Sequence, residues 1–296
     1  MINRRTFLAF SGAGLGLSLI GKGAAGVGNK SPADGIALLY DSSLCVGCRA
    51  CQMNCKSANR LPSESTDPRG IYESPRTLSA RTWNIIQLRN NLQPEKPQYP
   101  YWNKQCMHCT DAACVNVCPT GALYKHALGI TAWDETKCNG CGYCTQACPF
   151  KVAGLNVTNL ITGRAKAARC TFCQERITSG LKTACVSACP VAALTQGPRL
   201  QLLQKAKERV VALQAGGIAQ ANLYGEFEAG GLHRLSILSD DPSSYALVAG
   251  IEISPLFSFW KNTLNPLGRI GLGATILGLF VAWMVIRRNI KMEEVE

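Results

Sequence analysis

The chain has 296 residues, 16 of them cysteine, and a formal net charge of +12. That length can build a body with its own core, so the cysteines are not the staples of a mini-protein that lacks one. The basic excess invites a nucleic acid or an anionic lipid surface, but no nucleic-acid motif occurs and no nucleic-acid partner is expected.

Residues 1–28 open with Arg4-Arg5-Thr6-Phe7-Leu8, followed by a mild, glycine-rich apolar stretch over 7–20 and then Lys22. Twin arginines ahead of such a stretch mark the Tat export route. The segment is read as a signal region, with a cleavage site near Ala25, and not as a helix of the mature protein. Gly12, Gly14 and Gly16 do not form a dinucleotide fingerprint, because no strand precedes them and their spacing is wrong.

All sixteen cysteines fall in residues 36–198, in four groups. They are Cys45, Cys48, Cys51 and Cys55; Cys106, Cys109, Cys114 and Cys118; Cys138, Cys141, Cys144 and Cys148; and Cys170, Cys173, Cys185 and Cys189. Each group ends in Cys-x3-Cys, and three run directly into proline at Pro119, Pro149 and Pro190. Disulfides between such close neighbours would close tight, strained rings and stabilise little. Structural zinc uses paired knuckles set further apart, a form that only the fourth group could imitate. The first and third groups instead have the C-x2-C-x2-C-x3-C run of bacterial ferredoxins, which holds [4Fe–4S] clusters and sends its fourth cysteine to a partner cluster. A proline after that cysteine fixes φ and directs the chain away.

The second and third groups lie close together in sequence and are expected to exchange their fourth ligands, which leaves the first and fourth to pair. The predicted sets are Cys45, Cys48, Cys51 with Cys189; Cys170, Cys173, Cys185 with Cys55; Cys106, Cys109, Cys114 with Cys148; and Cys138, Cys141, Cys144 with Cys118. The expected fold is α+β, with duplicated bacterial-ferredoxin-like modules, four [4Fe–4S] clusters and one C-terminal transmembrane helix. Sixteen thiolates and four oxidised cores would leave a holoprotein charge of roughly +4. Cations near the groups (Arg49, Lys56, Lys104, Lys137, Lys151, Arg169, Arg176) are read as compensation for the clusters. His108, inside the second group, is expected to be solvated or locally hydrogen-bonded, since four sulfurs are already at hand.

Between the groups, 61–76 reads as a loop, 81–88 as a strand, and 122–124 with 130–133 as a hairpin. Cys118-Pro-Thr-Gly-Ala-Leu and Cys189-Pro-Val-Ala-Ala-Leu share one form, each entering a short strand. Residues 199–264 are expected to hold a helix over 200–213, through Leu200, Leu203, Ala206, Val210 and Leu213, and then a linker that wraps a partner subunit. A strand is expected at 235–238. The apolar run 270–286 ends at Arg287, Arg288 and Lys291, so 265–288 is assigned as a membrane anchor and 289–296 as a cytoplasmic tail. Phe257, Phe259 and Trp260 look like interface anchors. No histidine lies in the span, so a membrane haem or quinone site must mainly be another subunit's.

Leu39-Tyr40-Asp41-Ser42 leading into Leu44-Cys45-Val46-Gly47-Cys48-Arg49-Ala50-Cys51 resembles the hydrogenase-2-type iron–sulfur subunits. So does Gln105-Cys106-Met107-His108-Cys109 leading to Cys114-Val115-Asn116-Val117-Cys118-Pro119. The resemblance implies a non-catalytic electron-transfer subunit on the periplasmic side of the membrane. It would relay electrons between the large and small subunits of a nickel–iron hydrogenase and an integral membrane quinone-reactive subunit. The wider group contains the β subunits of formate dehydrogenases and other molybdopterin oxidoreductases, which remain an alternative; a zinc-holding scaffold is the alternative from another class. Lys56 departs from the run, standing where proline would follow Cys55 and leaving an extra N–H near a cluster.

Overall fold

The computed structural model describes residues 35–64, 75–88, 99, 101–159, 164–254, 256, 259 and 263–289. The signal region expected over 1–28, Phe257, Trp260 and the tail at 290–296 lie outside the described residues.

Regular structure opens with β1 (Ile36–Asp41), whose last five residues are buried in succession. A continuous apolar run of this kind suits a strand covered on both faces. Helix α1 (Ala50–Ala58), the paired strands β2 (Asn84–Leu88) and β3 (Tyr101–Gln105), and short α2 (Ala113–Asn116) follow. The strand expected over 81–88 starts only at Asn84, because Arg81 turns its carbonyl to Lys56 Nζ at 2.7 Å. The expected hairpin is present as β4 (Leu123–Lys125) and β5 (Thr131–Trp133). Its turn needs Gly129, which has φ 86 and against which a Cβ would collide with the His233 ring.

Short α3 (Tyr143–Gln146) leads to a second hairpin, β6 (Gly154–Asn159) with β7 (Arg164–Ala168). Two further short helices, α4 (Gln174–Thr178) and α5 (Ala184–Ser187), precede β8 (Leu194–Pro198). Then come α6 (Arg199–Ala215), β9 (Asn222–Tyr224), β10 (Arg234–Leu238) and the terminal helix α7 (Asn265–Asn289).

One four-stranded sheet, ordered β8-β1-β10-β9, organises the body. β1 runs parallel to β10, with Leu38 opposite Arg234, and antiparallel to β8. The two-residue period then sorts the side chains. Ala37, Leu39, Leu235 and Ile237 face α6, packing with Leu202, Ala206 and Leu213. On the other face Leu38, Tyr40 and Leu238 join Cys51, Trp102, Phe172 and Cys185 in the core that carries the cysteine loops. The sheet is thus a floor, with a helix below and the cysteines above.

One expectation for residues 199–264 needs correction. The helix presents Leu202 and not Leu200 to the sheet, and Leu200 is left exposed. The strand expected over 235–238 is present as β10, the inner parallel partner of β1, with β9 at the sheet edge, so this part of the stretch belongs to the protein's own core. Leu232, Leu235 and Leu238 are wholly buried there.

The helix α7 has 25 residues, about 37 Å at 1.5 Å per residue, enough to cross an apolar core of about 30 Å. Its 266–288 stretch is apolar enough to span a membrane, and none of it is buried within the protein. Trp283 stacks on Phe280 and carries Arg287 over its ring at 5.1 Å, an amphipathic cluster suited to a membrane–water boundary.

Truncating Leu235 removes a wholly buried side chain between sheet and helix. Leu235→Ala is expected to destabilise the body by about 2–5 kcal/mol, whereas exposed Lys205→Ser should change stability by less than about 0.5 kcal/mol. Denaturant midpoints of the two variants check this. His233 gives a pH signature. Its Nδ1 lies 2.7 Å from the Ile36 carbonyl, and burial, aided by Lys125, Arg199 and His108, holds the ring's pKa down to about 3. The unfolded chain takes up a proton near pH 6.5 that the folded chain refuses, so this contribution to stability is whole above about pH 6.5 and declines as pH falls toward 3. His233→Gln should therefore flatten the fall in thermal midpoint between about pH 6.5 and 5.5. A slope equal to that of the parent chain would exclude His233 as its source.

Candidate metal centres

The backbone around the cysteines has a repeated form. Gly47 (φ 71) and Arg49 (φ 59) flank Cys48, His108 (φ 48) sits between Cys106 and Cys109, and Gly140 (φ 74) and Gly142 (φ 79) flank Cys141. Phe172 (φ 59) and Cys173 (φ 50) do the same in the fourth group. Side chains other than glycine hold this conformation at a cost on the order of 1–3 kcal/mol each, a strain that clusters at functional sites. Turns of this kind gather successive N–H groups into concavities that bind anions, iron–sulfur sites among them. At Gly140 no other residue fits, since a Cβ would strike the Ala165 carbonyl across the loop.

A second repetition follows the Cys-Pro runs. The third residue after Cys118, Cys148 and Cys189 is left-handed in each case: Gly121 (φ 67), Lys151 (φ 51) and Ala192 (φ 53). Cys55 departs from this form because it lies inside α1, which continues to Ala58. A proline at position 56 would break that helix. The extra N–H expected near a cluster is taken up by the helical ladder, while Lys56 reaches back to the Pro62 and Arg81 carbonyls.

The loops bring the sulfurs together across groups. Cys45, Cys48, Cys51 and Cys189 line one cavity with Tyr40 and Ile86. Cys55, Cys170, Cys173 and Cys185 line a second, and Cys118, Cys138, Cys141 and Cys144 a third. Cys106, Cys109, Cys114 and Cys148 form the remaining set, close enough for their thiolates to repel one another. Among the described residues no three His, Cys, Asp or Glu side chains are arranged to hold a single metal ion.

The donor set fits an anionic cluster. Backbone N–H groups of Leu123, Ala167, Phe172 and Ala184 point at Cys118, Cys138, Cys170 and Cys173 Sγ at 3.5, 3.3, 3.4 and 3.5 Å. Asn103 Nδ2 lies 3.6 Å from Cys51 Sγ, and Asn59 Nδ2 3.7 Å from Cys55 Sγ. Donors to sulfur are among the levers by which a protein sets a cluster's potential. Burial raises the pKa of most of the thiols, that of Cys144 to about 11 and that of Cys114 to about 12. Cys118 goes the other way: burial raises it, but the Leu123 N–H and the Thr120 hydroxyl outweigh burial and bring it down.

Cations stand close to the cysteines. Arg169, wholly buried, donates from Nη1 to Cys106 Sγ at 3.4 Å and from Nη2 to the Thr131 and Ala132 carbonyls. Lys125 donates to the Cys109 carbonyl at 2.6 Å, and Arg234 lies buried on β10. Of the seven cations expected near the clusters, Arg169 touches a cysteine sulfur, whereas Lys137 pairs with Asp134 on the surface. Lys125 and Arg234 carried no signal in the sequence, because neither lies within a cysteine run. His108 is not solvated. It is buried with its ring 4.9 Å from Phe172, edge to face, and burial, with Arg169 and Lys125 nearby, pushes its pKa well below the ordinary value.

Residues 44–122 and 97–199 each match a 4Fe-4S dicluster domain, and 253–296 match the family described as formate dehydrogenase N, transmembrane. The iron–sulfur subunit of the nitrate-inducible formate dehydrogenase of Escherichia coli K12 is 34% identical over 265 residues, 88% of each chain. The formate dehydrogenase iron–sulfur subunit of Haemophilus influenzae is 31% identical, over 88% of this chain and 83% of that one. The hydrogenase-2 operon protein HybA of Escherichia coli O157:H7 is 33% identical, over 98% of this chain and 96% of that one. These likenesses support the family expected from the sequence without favouring its hydrogenase branch, since the formate dehydrogenase subunits match at least as well. The chain belongs to the non-catalytic 4Fe–4S electron-transfer subunits of formate dehydrogenase- and hydrogenase-type oxidoreductase complexes.

Proposed function

We propose that this chain is the electron-transfer β subunit of a membrane-bound, formate dehydrogenase-type molybdoenzyme, carrying four [4Fe–4S] clusters on its sixteen cysteines. The four sulfur sets that cross between groups carry this reading: Cys45, Cys48, Cys51 and Cys189; Cys55, Cys170, Cys173 and Cys185; Cys106, Cys109, Cys114 and Cys148; and Cys118, Cys138, Cys141 and Cys144. When bound, such clusters supply one-electron storage and release. The chain's own part is to hold them in line, donate N–H groups to their sulfurs and keep water away.

The order of the line follows from neighbouring sulfurs of different sets. Cys51 lies near Cys185, Cys170 near Cys106, and Cys114 near Cys144, close enough in each case for thiolate repulsion. One end is therefore the set containing Cys45, where Cys48 is exposed beside the apolar side chains of Val46 (54%) and Met53 (64%). That end suits a catalytic partner. At the other, Arg269 at the start of α7 donates to the carbonyl of Pro119, next to Cys118, at 3.4 Å. That end suits an integral membrane subunit that reacts with quinone. The twin arginines Arg4-Arg5 support Tat export, which would set the body on the periplasmic side.

The choice of a formate dehydrogenase-type partner rests on those relatives and on the 253–296 match. A hydrogenase partner is the second reading, favoured by the near-complete coverage of HybA. Purification of the complex in mild detergent decides between them: co-purifying molybdenum supports the first, nickel without molybdenum the second. Zinc in place of iron and acid-labile sulfide would exclude both.

Cys51→Ser tests the cysteine sets. It should cost or convert one cluster, leaving about twelve to fifteen irons per chain instead of about sixteen, and interrupt electron flow from donor to quinone. Full iron and an unchanged low-temperature EPR spectrum would reject Cys51 as a ligand.

A further inference from the structure

Arg234 stands on β10 opposite Leu38, on the side of the sheet that faces the cysteine loops. It is wholly buried. Its Nη2 donates to both the main-chain oxygen and Oδ1 of Asn103 at 2.6 Å, and its Nη1 to Ser236 Oγ at 3.0 Å. The guanidinium carbon lies 5.4 Å from the Tyr40 ring centroid and 5.1 Å from that of Trp102. Among the described residues no carboxylate forms an ion pair with it.

A cation buried without an acid is retained only where some other anion balances it. Beyond the Tyr40 hydroxyl, whose own pKa burial raises, the ionisable groups acting on it are sulfurs: Cys185 and Cys170 of one set and Cys51 of the next. It also reaches Cys51 through a single intermediary. Asn103 Nδ2 donates to Asn84 Oδ1 at 2.6 Å and lies 3.6 Å from Cys51 Sγ. Because an amide can present either its oxygen or its nitrogen, something must fix which one meets the sulfur. The grip of Arg234 on Oδ1 does so, and turns the N–H side toward Cys51.

We propose that Arg234 is the buried counter-charge shared by the clusters of the Cys45 and Cys170 sets, making both easier to reduce, and that it orients Asn103 as a donor to Cys51. The proposal rests on the cluster ligation proposed above. Reduction adds one electron to a cluster and no proton, so the site becomes more negative by one charge. A fixed cation in a medium of low dielectric favours that state. Arg234 is thus a positioning and potential-setting residue, not one that handles substrate.

The test uses the full chain, purified in detergent with its clusters. Iron and acid-labile sulfide are counted, and reduction by dithionite is followed by EPR at controlled potential. In Arg234→Met, with iron and sulfide retained, two signals should show reduction equilibria about tenfold less favourable, about 59 mV lower for one electron. Arg234→Lys, which keeps the charge, should return them to within about threefold of the parent. Asn103→Ser should move one signal only. Unmoved potentials in Arg234→Met, or a lysine variant shifted as far as the methionine variant, would overturn the proposal. If Arg234→Met sheds iron, Asn103→Ser takes its place, and full iron with no potential moved overturns it equally. A parent chain without sulfide would instead overturn the cluster ligation itself.

Discussion

Crowding anionic sulfur into a dry interior is the constraint on which this molecule is built. Four thiolates around one cavity repel one another, and burial disfavours each of them separately. Every set is accordingly ringed by positive ends of dipoles: left-handed turns that aim backbone N–H groups inward, amide side chains such as Asn59 and Asn103, and guanidinium groups with no carboxylate to neutralise them. The strained backbone at Arg49, His108, Phe172 and Cys173 is a consequence of the same need, since regular helix or strand would direct those N–H groups elsewhere.

The sheet serves this purpose at one remove. One face of β1 and β10 packs on α6 through small and branched side chains, an ordinary hydrophobic layer. The opposite face mixes Leu38 and Leu238 with Tyr40, Arg234 and Ser236, a polar admixture that would be costly in a simple core. There each polar group has work beside the sulfurs: Tyr40 donates to the Tyr101 carbonyl at 2.8 Å and stacks edge-on against Trp102, and both rings hold Arg234. One strand pair thereby joins an apolar layer to a charged one, and two-residue alternation is enough to separate them.

How much of this could be read from the chain alone depended on the distance over which each interaction acts. The cysteine groups, the 122–133 hairpin, the helix after the last cysteine and the terminal anchor are local patterns, and all were legible. The crossed ligand sets are implied by the run itself, and the loops place those sulfurs side by side. Arg234 was not, since its partners Tyr40, Asn103 and Cys51 lie far from it in sequence and no spacing rule connects them. In the stretch from 216 to 255 the strand over 235–238 was legible as β10, but β9 and the pairing of β10 with β1 were not, because those contacts are remote in sequence. His108 was misjudged because a polar residue in a cysteine loop gives no hint that the loop is roofed by Phe172.

The pairing of β1 with β10 also orders events in time. These strands open and close the soluble body, so the cysteine-bearing loops are all synthesised before the last inner strand becomes available. Contacts so remote in sequence form late, because a long loop must be closed before they give anything in return. A nascent chain therefore passes through a stage in which its thiols have emerged while the floor beneath them is still incomplete. The floor beneath the cysteine loops is complete only when β10 joins β1.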